Sequence, residues 1–307
     1  ARVHPVCGMG ALAAIMERVF RRGPNGPRMT LAGLAACLAV VLPVGLLAAL
    51  PVRLAGEMLG GAAAWIVCVV VVSLCLAPRC LDEHARRVAL PLEQGDLEAA
   101  RRAVSMLVGR DPQQLDAHGV ARACVESVGE NLTDGILSTL FWAAAGLLLA
   151  GLPGAAALAA CHRAANVLDA MWGKLNETYR CFGTASARLD DVLNWCPARL
   201  ALPCIVLAAA LLPGLNAHAC RRVGWRDRHA HESPNSAWSE AAFAGALGLR
   251  LGGPAWYGPL YRDHPWLGDG TPLATARHIR QAVRLMWGSL LVFATLASLL
   301  PAAVACI

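Results

Sequence analysis

Glu126, Glu130 and Asp134 recur at i, i+4 and i+8 in the run Glu126-Ser-Val-Gly-Glu130-Asn131-Leu-Thr-Asp134-Gly135. Residues four apart share a helix face, so the spacing predicts a stripe of three carboxylates with Asn131 beside it. Such charges repel unless a cation sits among them, and an all-oxygen set suits Mg²⁺. A solvated acidic face is the ordinary alternative. Here an apolar run starts at Ile136, where ionised groups are expensive to hold. A second polar run, Ser233-Pro234-Asn235-Ser-Ala-Trp238-Ser-Glu240, leads to Arg250-Leu-Gly252-Gly253-Pro254. Asn235 or Ser236 is expected to cap a helix with Glu240 in its first turn, leaving free amides that suit an anion. Gly252-Gly253 reads either as backbone that approaches a phosphate or as the helix C-cap.

Further chemistry lies between these runs. His162, Asn166, Asp169 and Gly173 fall on one helical stripe. Asp169 there either works on a substrate or neutralises Arg163 or Lys174, and His162 is given no role. Downstream, Asn176 and Arg180 precede Arg188, Asp190, Asp191 and Asn194. Arg188, Asp191 and Asn194 or Trp195 share a face, while the Asp190-Asp191 pair either binds metal or pairs with arginine. His229-Ala-His231-Glu232 fits no zinc spacing.

The elements that must hold these residues belong in a membrane. The chain has 307 residues, 57% hydrophobic and only 16% charged, against about 25% charged in ordinary globular chains. Its mean hydropathy is +0.49. Net charge is +6, and Lys174 is the single lysine among 27 Lys and Arg. The arginines are scattered among acids, which argues against nucleic-acid binding. Twelve cysteines contain no C-x-x-C pair, and several lie in apolar runs as small hydrophobes, so neither a disulfide framework nor a zinc site is expected.

Apolar runs long enough to cross a bilayer cover Leu31 to Val52, Leu59 to Ala77, Ile136 to Leu152 and Trp287 to Ile307. Weaker ones cover Ala155 to Ala160 and Ala201 to Leu215. Short helices are predicted from Asp96 to Val108 and from about Leu115 to Leu132. The fold expected is all-α: a polytopic membrane protein of about five transmembrane helices plus re-entrant or interfacial helices. It reads as a single domain, 1–307, whose polar sections 78–135, 171–199 and 216–286 form the site. Arginines near the amino terminus place that end inside. Whether the two signatures share a face of the membrane depends on how the weak spans are counted, and chemistry argues for a shared face.

Together these segments resemble the CobD/CbiB family of membrane-bound adenosylcobinamide-phosphate synthases. The resemblance rests on Glu126 to Gly135, Arg163-Ala-Ala-Asn-Val-Leu-Asp169, Asn176-Glu-Thr-Tyr-Arg180-Cys-Phe-Gly183, Ala185-Ser-Ala-Arg-Leu-Asp-Asp191, Ser233 to Ala242, Leu247 to Pro254, and Asp269-Gly270. Family members carry an apolar segment before the His-Pro-Val that stands here at His4 to Val6. This chain begins at Ala1, so a natural start further upstream is expected.

The resemblance implies ATP-dependent amide formation between adenosylcobyric acid and (R)-1-amino-2-propanol O-phosphate, or its ethanolamine counterpart, in cobalamin biosynthesis. Glu126, Glu130, Asp134 and Asp190 would hold Mg²⁺ with the nucleotide. Asp169, Asp191 and Glu240 would be catalytic. Asn131, Asn166, Asn176, Arg180, Arg188, Asn194, Asn235, Arg250, Gly252 and Gly253 would bind substrate. A bacterial inner membrane with a cytoplasmic active site is implied, with a homo-oligomer or contacts to other pathway enzymes among the partners. The alternative from another class is a corrinoid-binding transporter or scaffold that forms no bond.

Overall fold

A computed structural model describes residues 5–174, 176–257 and 260–305. His4 of the His-Pro-Val segment, Arg2 and Cys306 lie outside the described residues. The fold is predominantly helical. Among the described residues, five continuous helical stretches are long and apolar enough to cross a membrane: Pro27–Leu59, Gly61–Glu93, Ala117–Trp172, Thr184–Leu211 and Ala276–Leu299. The chain divides into two compact units, one of Ala1–Ala77, Ser138–Asn194 and Ala303–Ile307, the other of Pro78–Leu137 and Trp195–Ala302.

The first unit is built from α1 (Pro5–Phe20), α2 (Pro27–Leu59), α3 (Gly61–Cys75), α7 (Ser138–Trp172) and the start of α8 (Thr184–Leu211). Pro27 opens α2 at a position whose N–H has no helical partner to lose. Pro43 and Pro51 lie inside it, as membrane helices allow. Small residues bring the backbones together: a Cβ at Gly33 would strike the Phe182 carbonyl, and one at Gly45 would strike Cys161 Sγ. The core gathers Met9, Ala36, Val40 and Leu168 around Trp172 and Phe182, whose rings meet edge to face at 4.9 Å.

α7 is not one rod. Ala150 (φ −148°, ψ 24°) and Gly151 (φ 66°, ψ −158°) break it, and a Cβ at Gly146 would overlap the Gly154 carbonyl. Residues eight apart in a straight helix would stand about 12 Å apart, so the chain doubles back. The apolar segments expected as a span from Ile136 and a weaker one from Ala155 are therefore the two limbs of a hairpin. Cys68 of α3 donates its S–H to the Leu152 carbonyl just past the turn, at 3.4 Å.

The second unit contains α4 (Pro78–Glu93), α5 (Leu97–Val104), α6 (Ala117–Leu132), a π-helical turn (Thr133–Leu137), the remainder of α8, α9 (Ala217–Arg226), α10 (Ser236–Leu247) and most of α11 (Ala276–Ala305). Asp96 and Asp116 cap α5 and α6 by accepting from Ala99 N at 2.9 Å and Gly119 N at 2.6 Å. The expected starts of both helices thus stand within two residues.

α10 is buried on every side from Ser236 to Ala246. Gly245 permits that, because any Cβ there would meet the Ala219 carbonyl of α9. Two antiparallel ladders follow, β1 (Leu251–Gly252) with β4 (Trp266–Leu267) and β2 (Ala255–Tyr257) with β3 (Leu260–Arg262). The polar section expected over 171–199 is largely helical, since α8 already begins at Thr184.

Candidate active site

α6 places Glu126 and Glu130 one turn apart, facing α10. Gly129 between them lies against it: a Cβ there would sit 3.6 Å from Glu240 Cα. Glu126 is buried and takes two donors. Arg110, from the loop before α6, pairs with its Oε2, and the Gly252 N–H donates to its Oε1 at 2.7 Å. Gly252 has φ 73°, and a Cβ on it would lie 2.7 Å from the Pro265 carbonyl, so only glycine presents that amide without strain. This bond joins the two polar signatures, answering the topological question that hydropathy left open.

Ser236, the first residue of α10, bonds through its hydroxyl to Glu130. Glu240 is buried. Burial above all, then the neighbouring Glu130, Glu126 and Asp134 carboxylates, push it well above the ordinary carboxylate range, with Arg110 opposing. Glu240 therefore holds its proton more tightly than an ordinary carboxyl.

The expected stripe is modified in two ways. Asp134 lies in the π turn Thr133–Leu137, where the wider helix breaks the strict i, i+4, i+8 alignment. One carboxylate, Glu126, is also committed to Arg110 and Gly252. Among the described residues no group of three or more His, Cys, Asp or Glu side chains is arranged to hold a metal ion. The fourth expected metal ligand, Asp190, belongs to the other unit.

Other expectations at this end are corrected. The C-cap of α10 is Gly248, with φ 65°, and not Gly252-Gly253. Gly253 instead has φ 80° and lies against the Trp266 ring. Glu240 occupies the second turn of its helix, and Asn235 sits at the N-cap without a side-chain cap bond. Its Oδ1 accepts from Arg199 at 3.3 Å. Asn131 turns back on its own helix, donating to the Ser127 carbonyl at 2.9 Å. Arg250 is exposed, 5.8 Å from the Trp266 ring centroid.

The first unit holds a separate polar network. Thr139 Oγ1 and His162 Nδ1 are 3.0 Å apart, His162 Nε2 is 3.0 Å from Asn194 Oδ1, and Asn194 Nδ2 donates to Asp190 Oδ2 at 2.8 Å. With the amide nitrogen committed to Asp190, its oxygen must accept, so His162 carries its proton on Nε2 and accepts from Thr139 on Nδ1. The α7 hairpin makes this possible by bringing Thr139 and His162 together. Asp169 and Asp191 are electrostatic neighbours of Asp190. Asp191 also pairs with the exposed Arg188 at 3.5 Å. Gly173 gives the Asp169 carboxylate its room, since a Cβ there would overlap Oδ1. Asn166 accepts from Arg163 at 3.0 Å. Asn176 and Arg180 are exposed in the loop before α8, where Asn176 Oδ1 accepts from Tyr179 N.

Sequence reasoning missed Arg110, Thr139, the bond from Ser236 to Glu130 and the place of His162. It also missed Arg199, which lies 4.1 Å from the Trp195 ring centroid and 5.1 Å from that of Trp238. The i, i+4 spacing of Trp195 and Arg199 was the available signal for that stack.

The protein-family model described as CobD/Cbib protein matches residues 1–286. This chain belongs to the CobD/CbiB family. Among similar relatives, the cobalamin biosynthesis protein CobD of Klebsiella pneumoniae is 43% identical over 92% of this chain and 86% of its own length. The CobD of Citrobacter koseri is 41% identical over 99% and 91%. The CobD of Rhodobacter capsulatus is 40% identical over 96% and 90%. No solved structure matches. Both polar signatures and the Asp190-Asp191 pair fall inside the stretch matched to the CobD/CbiB family.

Proposed function

We propose that this protein acts in cobalamin biosynthesis, joining adenosylcobyric acid to (R)-1-amino-2-propanol O-phosphate in an ATP-dependent amide synthesis that yields adenosylcobinamide phosphate. The observation that carries the reading is the Glu126–Gly252 bond, which makes the two family signatures one buried, carboxylate-rich centre. A carboxylate does not accept an amine until its oxygen becomes a leaving group. Transfer of the ATP γ-phosphoryl to that oxygen releases ADP. Attack by the amine nitrogen on the carbonyl carbon then expels phosphate, and one proton leaves the nitrogen. Glu126, Glu130 and Asp134 are the residues that would hold Mg²⁺, which would screen the nucleotide's charge.

Glu240 is suited to proton handling because burial and its acidic neighbours raise its affinity for a proton. Asp169 and Asp191 are the competing acceptors. The Gly252 amide and Arg110 keep Glu126 fixed beside it. Arg188 and Arg250, both exposed, are the proposed grips for phosphate or carboxylate oxygens. The membrane would be the inner membrane of a bacterial cell.

The test is product formation by the purified protein, with ADP release that requires both the acid and the amine phosphate. Corrinoid binding with no ADP release would favour a transporter or scaffold instead. Normal Mg²⁺ dependence in Asp134→Ala would remove Asp134 from any metal-binding role.

A further inference from the structure

α4 and α11 of the second unit run antiparallel. At one end Trp287 Nε1 donates to Asp82 Oδ2 at 3.1 Å, and at the other Arg280 pairs with Glu93. Between them lies a cleft of about 440 Å³. Leu90, Ile279 and Val283 wall it, and Arg86, Arg280 and Arg284 face it. Three guanidiniums thus meet two carboxylates. Asp82 holds Arg86 and Glu93 holds Arg280. Arg284 is exposed and has no carboxylate partner among the described residues.

The surroundings change character along α11. Arg280 and Arg284 share a face, and the same face continues to Leu291, which is 66% exposed. Leu90 across the cleft is 54% exposed. Trp287 stands where the charged turn gives way to the apolar stretch, the position indoles take at a bilayer surface. Cations over an aliphatic wall at a membrane boundary match one ligand shape, a charged phosphate head with acyl chains below it.

We propose that this cleft binds the anionic headgroup of a membrane phospholipid. Its phosphodiester would lie against Arg280 and Arg284, and a chain along Leu90 and Leu291. Guanidinium forks match phosphate oxygens in pairs, and basic clefts between membrane helices take such headgroups. A soluble phosphate would use the arginines but gain nothing from the wall.

Native mass spectrometry of the purified full-length chain tests this with phosphatidylglycerol against phosphatidylcholine of equal chain length. Wild type is expected to retain phosphatidylglycerol about tenfold better, and Arg280→Gln with Arg284→Gln to abolish that preference. Arg221→Gln, an exposed arginine elsewhere in the unit, should keep it. Millimolar inorganic phosphate should not displace the lipid. Equal retention of both lipids by wild type, an unchanged preference in the double variant, or displacement by phosphate would each overturn the proposal. If the double variant does not fold, Arg284→Gln alone gives the answer, because it breaks no ion pair among the described residues. It should lower the preference several-fold, and an undiminished preference would overturn the proposal.

Discussion

Arg110 and Glu126 form a buried pair, with side chains 15% and 7% exposed. Removing one partner of such a pair strands the other charge and costs about 3–5 kcal/mol. Arg110→Ala should therefore lower the thermal midpoint in detergent sharply, and Arg110→Ala with Glu126→Gln should recover part of the loss. An additive double variant would mean that the pair is not coupled. His162 answers to similar reasoning. His162→Leu leaves the Asn194 oxygen and the Thr139 hydroxyl without partners, at about 1–3 kcal/mol each. It should destabilise more than Thr139→Val, which strands only one ring nitrogen. Circular-dichroism melts of the two variants decide the order.

Glu240 sets a pH dependence. A carboxyl whose folded pKa lies above its unfolded one holds its proton more tightly when folded. Its contribution is complete below the ordinary carboxylate range and is lost as pH rises toward the folded value. Stability should therefore fall as pH rises above the ordinary carboxylate range. Glu240→Gln should flatten that slope, and an unchanged pH profile of the midpoint would exclude Glu240 as its source.

At the level of elements, chemistry that is local in sequence was legible. Asp96 announced its helix, and the next helix was expected within two residues of its start at Ala117. The position of each signature against an apolar run was also plain. What stayed hidden depends on contacts distant in sequence or on backbone form. Arg110 reaches Glu126 from a loop sixteen residues earlier, and nothing in Gly109-Arg110-Asp111 marks it apart from other loop arginines. The π turn at Thr133–Leu137 has the composition of an ordinary helix, so the carboxylate spacing was read one register too regularly. Ala150-Gly151 carries no polar turn signal, and the hairpin looked like two spans. Packing offers its own test: Gly245→Val would force α9 and α10 apart, because no rotamer clears the Ala219 carbonyl. Overpacking of this kind costs about 1–3 kcal/mol or more. Loss of the monodisperse chromatographic peak for Gly245→Val, with Gly248→Asn nearly unaffected at its left-handed cap, is the expected pair of results.

Across the whole molecule, cysteine placement gives a readout of folding. Cys7 and Cys80 are exposed, whereas Cys220 is fully buried and its thiol is pushed up to about 12 by that burial. Maleimide should label Cys7 and Cys80 in the native protein and reach Cys220 only after unfolding. Early labelling of Cys220 would mean that the packing around α9 opens readily. The α7 hairpin bears on how the chain enters a bilayer at all. From Leu140 to Ala160 there is no charged residue, and the tip is alanine and glycine. Insertion of this segment requires no hydrophilic stretch to be carried through the lipid, so both limbs can slip in together during synthesis, without the topogenic charge signals that orient an ordinary span.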